Sequence, residues 1–61
     1  MKKVRPTKVL VIAKEYPNFY MKEMYVLWET KYDRGTWYHL SEKPNDIISK
    51  LYLGEKQFKH L

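Results

Sequence analysis

The stretch that most constrains this fold is residues 25–41, YVLWETKYDRGTWYHLS, in which a short turn separates two strand-like segments. Aromatic and β-branched residues are frequent on both sides, and such residues favour strands. Asp33, Arg34 and Gly35 lie between them, and a glycine in a short loop between two such segments indicates a β-hairpin. The sequence therefore predicts a local antiparallel pair of strands on which the rest of the chain packs.

The hairpin loop determines which side chains share a face of the sheet. We predict a three-residue loop in which Gly35 is a left-handed bulge and Tyr32 lies opposite Thr36. Because side chains alternate along a strand, the core face then carries Val26, Trp28, Thr30, Tyr38 and Leu40. The other face carries Tyr25, Leu27, Glu29, Lys31, Trp37, His39 and Ser41. A two-residue loop at Arg34 and Gly35 is the alternative, which we disfavour because it mixes apolar and polar side chains on each face.

The N-terminal part of the chain predicts one more strand. Residues 8–14, KVLVIAK, are apolar on both faces, which is typical of a central strand or of one covered by a second subunit. Its edge could also pair with the same strand of another copy. The sequence EYPN at residues 15–18 ends this strand in a turn, and a long segment at residues 21–32 follows. Residues 19–21 form a separate short strand in the alternative interpretation.

After Ser41 the apolar spacing changes to that of a helix. Asn45 is a suitable cap, Gly54 stands where a helix would end, and one face would carry Ile47, Ile48, Leu51 and Tyr52. A longer helix capped by Ser41, with Pro44 in its first turn, is the alternative. The predicted fold class is α+β: a small antiparallel three- to four-stranded β-meander with one C-terminal amphipathic helix packed on one face.

A chain of 61 residues forms one domain at most. We expect a basic N-terminal arm at residues 1–7, a single domain at residues 8–54 and a tail at residues 55–61. The lack of cysteine excludes disulfides and cysteine zinc sites, so a homodimer is a further route to stability. The longest apolar run, residues 9–13, is far shorter than the roughly 20 residues of a membrane span. We expect a complete cytoplasmic protein without membrane contact.

The net charge of +5 comes from the N-terminal segment. Residues 1–14 contain no acid and carry the bases Lys2, Lys3, Arg5, Lys8 and Lys14. Such a segment favours polyanions, because it neutralises phosphates and releases their counterions. A solvated tail that keeps the domain soluble is the plainer interpretation.

The predicted open face of the hairpin is the candidate binding surface, because exposed aromatics among cations stack on bases or anchor protein interfaces. Together with the arm it gives the candidate binding residues Lys2, Lys3, Arg5, Lys8, Tyr25, Lys31, Arg34, Trp37 and His39. An ordinary cross-strand pair, with Trp37 shielding Lys31, is the structural alternative.

Catalytic patterns are weak in this sequence. His39 lies opposite Glu29 in the predicted register, but no nucleophile, glycine-rich phosphate loop or third ligand accompanies them. His39 and His60 also lack the spacing of metal ligands. We therefore expect no enzyme activity, no cofactor and no metal.

Two functions are compatible with these features. The first is binding of single-stranded DNA or RNA through the basic arm and the aromatic sheet face. The second is that of a phage-type accessory protein that binds and inhibits a host protein, as an anti-defence or host-takeover factor. In its length and its Lys- and Tyr-rich composition, the chain resembles the small accessory proteins of bacteriophages and mobile elements, although no motif carries that resemblance.

Overall fold

The computed structural model describes residues 2–61, which form a five-stranded antiparallel sheet. Its strands are β1 (Lys2–Val11), β2 (Glu23–Tyr32), β3 (Gly35–Ser41), β4 (Leu51–Gly54) and β5 (Phe58–His60). Their order across the sheet is β4-β3-β2-β1-β5, and a single 3-10 turn, Glu55–Gln57, connects the two edge strands β4 and β5. So short a connection between opposite edges requires the sheet to curl into a half-barrel.

The α+β prediction is wrong, because the described residues contain no α-helix and the expected C-terminal helix is a loop followed by β4. Leu51 and Leu53 are buried while Tyr52 between them is exposed, which is the two-residue period of a strand. Ile47 and Ile48, which a helix would have buried, are 84% and 74% exposed. Of the four apolar residues on the predicted helical face, Ile47 and Ile48 therefore lie in a loop, whereas Leu51 and Tyr52 lie in β4.

Side-chain hydrogen bonds fix the loop that replaces the helix, residues 42–50. The hydroxyl of fully buried Ser41 donates to the carboxylate of Asp46, and the backbone N–H of Lys50 donates to the carbonyl of Leu40 at 2.8 Å. Glu42 pairs with the ammonium groups of Lys22 at 2.6 Å and Lys50 at 2.9 Å. Hydrogen bonds from these two lysines lower the pKa of Glu42 to about 2. Its contribution to stability is therefore present above pH 4.5 and is lost as the pH falls through 2.

All five strands contribute to one core on the inner face of the curl. Its buried members include Val9, Val11, Met24, Val26, Leu40, Leu51, Leu53 and Phe58. The rings of Tyr38 and Phe58 meet edge to face with their centroids 5.2 Å apart, so Tyr38 faces the core as alternation predicts.

The hairpin has a two-residue loop, Asp33 and Arg34, because Tyr32 pairs with Gly35 rather than with Thr36. The predicted three-residue loop is therefore wrong, and so is the register drawn from it. Gly35 has φ +141°, a conformation that side-chain-bearing residues rarely adopt, which explains the glycine there.

A β-bulge at Leu27 changes the two faces further. Val26 pairs with Leu40 and Trp28 with His39, so Leu27 is an extra residue in β2. Trp28 and Thr30, predicted in the core, consequently share a face with Trp37 and His39. Glu29 and Lys31 change faces in the opposite direction. They were predicted on the open face, but they lie opposite Tyr38 and Thr36, on the face that carries the core. Leu27 and Ser41, predicted on the open face, are buried.

Strand β1 is longer than the predicted strand at residues 8–14 and starts at Lys2. Lys2, Lys3 and Thr7 of the expected arm pair with β2, with an irregularity between Lys3 and Thr7, and Met1 lies outside the described residues. Val9, Leu10 and Val11 have β2 on one side and β5 on the other. This run therefore offers no free edge for the pairing with another copy that its sequence left open.

Leu53→Ala distinguishes a strand from a helix at residues 51–54. Removing a fully buried leucine side chain costs about 2–5 kcal/mol, so we expect urea denaturation to show a large loss of stability or no folded state. Ile48→Ala is the matched control and should change the free energy of unfolding by less than about 0.5 kcal/mol, because its side chain is exposed. A larger loss in Ile48→Ala than in Leu53→Ala would favour the helix, whose predicted packed face carries Ile48 and not Leu53.

Candidate functional site

The outer side of β2, β3 and β4 carries a group of rings that we call the aromatic face: Trp28, Tyr32, Trp37, His39 and Tyr52. Strand pairing aligns three of them, since Tyr52 lies opposite His39 and His39 opposite Trp28. Lys3 of β1 lies opposite Trp28 and continues this row. With neighbouring strands about 4.8 Å apart, the row from Tyr52 to Lys3 is about 14 Å long.

Much of the aromatic face is open to solvent. Tyr32, Trp37 and Tyr52 are 61%, 47% and 55% exposed. Together with His39 they line an open cleft of about 480 Å³, and no charged side chain of residues 2–61 contributes to its lining. The rings of His39 and Tyr52 meet edge to face, with centroids 4.6 Å apart and an interplanar angle of 78°. The cleft is therefore suited to a flat, apolar group rather than to a charged one.

His39 belongs to this apolar surface and does not act as a cation at neutral pH. Its Nε2 lies 2.8 Å from Oγ1 of Thr30, within hydrogen-bond distance. Burial of the ring, the largest cause, lowers the pKa of His39 below the usual 6.5. A neutral imidazole offers a ring face and a hydrogen-bonding nitrogen, which suits contact with a base better than contact with a phosphate.

Cations lie at the borders of the aromatic face. Arg34 and Lys56 line a groove of about 510 Å³ that also includes Trp37 and Glu55. Lys3 lines a second cleft beside Trp28, on the far side of the row. Positive side chains thus flank the rings at two separate places, and an acid lies at each: Glu55 in the groove of Arg34 and Lys56, and Asp46 in the cleft of Lys3.

The structure brings only some of the predicted binding residues together. Trp37 and His39 share the aromatic face, Arg34 borders it at the hairpin turn, and Lys3 ends its row. Lys31 lies opposite Thr36 and points away from that face, so the predicted pair of Lys31 and Trp37 does not form.

The remaining predicted residues lie outside the aromatic face. Tyr25 is half-buried and pairs with Lys8, whose ammonium is 2.8 Å from the carboxylate of Glu23. The hydrogen bond that Lys8 donates to Glu23 raises the pKa of Lys8 above its usual value. Lys2 lies opposite Glu29, and Arg5 is exposed in the irregular part of β1.

Sequence reasoning missed Trp28, Tyr32 and Tyr52. Tyr52 could have been found, because Leu51, Tyr52 and Leu53 alternate as in a short half-buried strand. Trp28 could not, because its orientation depends on the bulge at Leu27, which leaves no clear pattern in the sequence.

Comparison of the chain with protein-family models, with curated proteins and with solved structures gave no match. Residues 2–61 contain no group of three His, Cys, Asp or Glu side chains that could hold a metal ion. No helix in the same range is long and apolar enough to cross a membrane.

The lowered pKa of His39 predicts a pH dependence of folding. Below about pH 6.5 the unfolded chain takes up a proton at this residue more readily than the folded one, so stability should fall as the pH drops from 7.5 to 5.5. Urea midpoints at the two pH values measure the effect in a His60→Gln background, which leaves His39 as the sole histidine. His39→Gln should remove this dependence, and an unchanged slope would assign it to other groups.

Proposed function

We propose that this protein is a small, non-enzymatic, cytoplasmic binding protein that contacts single-stranded DNA or RNA through its aromatic face. The observation that carries the proposal is the aligned row Tyr52, His39 and Trp28, which ends at Lys3. Aromatic rings on a sheet, with cations at the border, are the usual means of binding unpaired bases.

Stacking supplies the first part of the binding energy. A base stacked on an aromatic side chain contributes about 1–3 kcal/mol, and every base has a face to stack. A duplex hides those faces, so single strands are the preferred ligand. The exposed rings of Trp37 and Tyr52 are the main platforms, and neutral His39, opposite Tyr52 and two residues from Trp37 on β3, adds a third ring.

Phosphate contacts supply the second part. Lys3, Arg34 and Lys56 border the rings, and the chain has a net charge of +5. The acids Glu23 and Glu42 are paired with lysines and so repel phosphates less. Glu55 and Asp33 are close to the groove and limit the affinity. We therefore expect moderate binding that depends on salt.

Trp37→Ala tests the stacking. Losing one stacked base should weaken binding of a fluorescent oligothymidine by about 5- to 150-fold, measured by anisotropy at about 50 mM salt. Tyr20→Ala is the matched control, because it removes an aromatic ring of similar exposure in the loop between β1 and β2. Equal affinities of the two variants, or no binding by the parent protein at low salt, would contradict the proposal.

Arg34→Ala and Lys56→Ala test the phosphate contacts. Each should weaken binding by a similar factor for all sequences and should reduce the slope of log K against log salt by about 0.7 for a single strand. Lys59→Ala is the control, because it removes an equal charge from an exposed residue of β5 that lines neither the cleft of the aromatic face nor the groove of Arg34 and Lys56. If Lys59→Ala changes the slope as much as the other two, the charge acts only at long range.

The second candidate function is binding and inhibition of a host protein. Ile47 and Ile48 favour it, because they project beside Trp28 and Tyr52 and are highly exposed. Contiguous apolar side chains of this kind are typical of protein interfaces. This function would replace the first if oligonucleotides do not bind and if nuclease-treated lysate yields one stoichiometric protein partner that Ile48→Ser releases.

A further inference from the structure

Strand β4 is the least protected edge of the sheet. Within residues 2–61 it pairs with β3 alone, and its four residues, LYLG, include neither a charge nor a proline. The other edge is guarded, since β5 carries Lys59 and the part of β1 beyond β5 carries Pro6 and several bases. Charged residues and prolines are the usual means of preventing a strand from pairing with another chain. The edge formed by β4 lacks both.

The backbone of β4 presents hydrogen-bonding groups at this edge. The N–H of Gly54 donates to Oε1 of Gln57 at 2.8 Å, so it points away from β3. Backbone groups two residues apart in a strand point in the same direction, so the N–H and C=O of Tyr52 also point toward the free edge. An antiparallel strand centred on Tyr52 could exchange two hydrogen bonds with it.

A second copy of this chain fits the edge in a register centred on Tyr52. Two copies of a strand can pair in antiparallel fashion about a two-fold axis. The inner faces of both copies then lie on the same side of the joined sheet only if odd-numbered residues pair with odd-numbered ones and even with even. Pairing Tyr52 with Tyr52 of the second copy satisfies this and places Leu51 opposite Leu53 on the inner face. The next register, centred on Leu53, would oppose Lys50 and Lys56, two like charges.

We propose that two copies of the protein associate through antiparallel pairing of β4, centred on Tyr52. The two sheets become continuous across the interface. The row Trp28, His39 and Tyr52 then continues into the same three rings of the second copy. The dimer does not depend on the proposed nucleic-acid function, although it would double the length of the surface available to a single strand.

The interface is small and its strength depends on salt. A four-residue strand buries less than the roughly 1,200 Å² of a standard interface, so the dimer is weak and forms at high protein concentration. Each copy has a net charge of +5, and repulsion between the copies is screened as salt increases. Dimerisation therefore strengthens with salt, whereas binding of a nucleic acid weakens.

Single cysteines test the register, because the natural chain has none. In the proposed dimer the two copies of residue 52 have Cα atoms about 5.5 Å apart, within the range that a disulfide spans. Tyr52→Cys should therefore form a covalent dimer under mild oxidation, seen on a non-reducing gel. Tyr32→Cys is the control, because residue 32 is equally exposed on the same face but lies on β2, away from the edge. Equal cross-linking of the two variants would overturn the proposal.

Sedimentation of the unmodified protein gives an independent measurement in the absence of nucleic acid. The mean mass should rise from monomer toward dimer with concentration, more steeply in 0.5 M than in about 0.05 M salt. Tyr52→Lys, which places like charges opposite one another, should remain monomeric. A parent protein that stays monomeric at high salt would overturn the dimer while leaving oligonucleotide binding to be judged by its own experiment.

Discussion

The single core inside the curl is the constraint on which this structure depends. A chain of this length buries only about 60% of the surface that its unfolded form exposes, and here no disulfide adds to that. Curling the sheet lets Val9, Leu40 and Leu53 pack with Phe58 from the last strand without a helix as a second layer. Residues 2–61 then contain no further element that covers the outer face, apart from the loop at residues 42–50. Exposure of the rings on that face follows from the way the core is built.

The bulge at Leu27 determines which rings the outer face receives. Without the extra residue, Trp28 would point into the curl with Val26, where the core is already closely filled by Met24 and Leu40. With it, Trp28 joins His39 and Tyr52 in one row across three strands. A local irregularity therefore serves the packing of one face and the composition of the other. β-Bulges often have this effect of redirecting side chains near functional surfaces.

The local pairing could be predicted from the sequence, but the path of the chain after Ser41 could not. The turn residues placed the hairpin, and alternation put Tyr38 on the core face with Trp37 and His39 on the other. The helix prediction failed because four apolar residues fit a helical period by chance, and strands as short as β4 give little signal against it. In the candidate site, Trp37 and His39 could be found by alternation. Trp28 needed the bulge, and Lys3 needed the pairing of β1 with β2.

The electrostatics of the chain connect the two proposals. A net charge of +5 keeps copies with exposed rings apart in solution, and the same charge attracts a polyanion. A bound strand that lies across both copies would neutralise the repulsion that weakens their β4 interface. Because coupling between two binding equilibria is reciprocal, a dimer formed in this way must bind that strand more tightly than a monomer does. Under the two proposals together, the unprotected β4 edge beside the aromatic row would make association of the two copies depend on the bound strand.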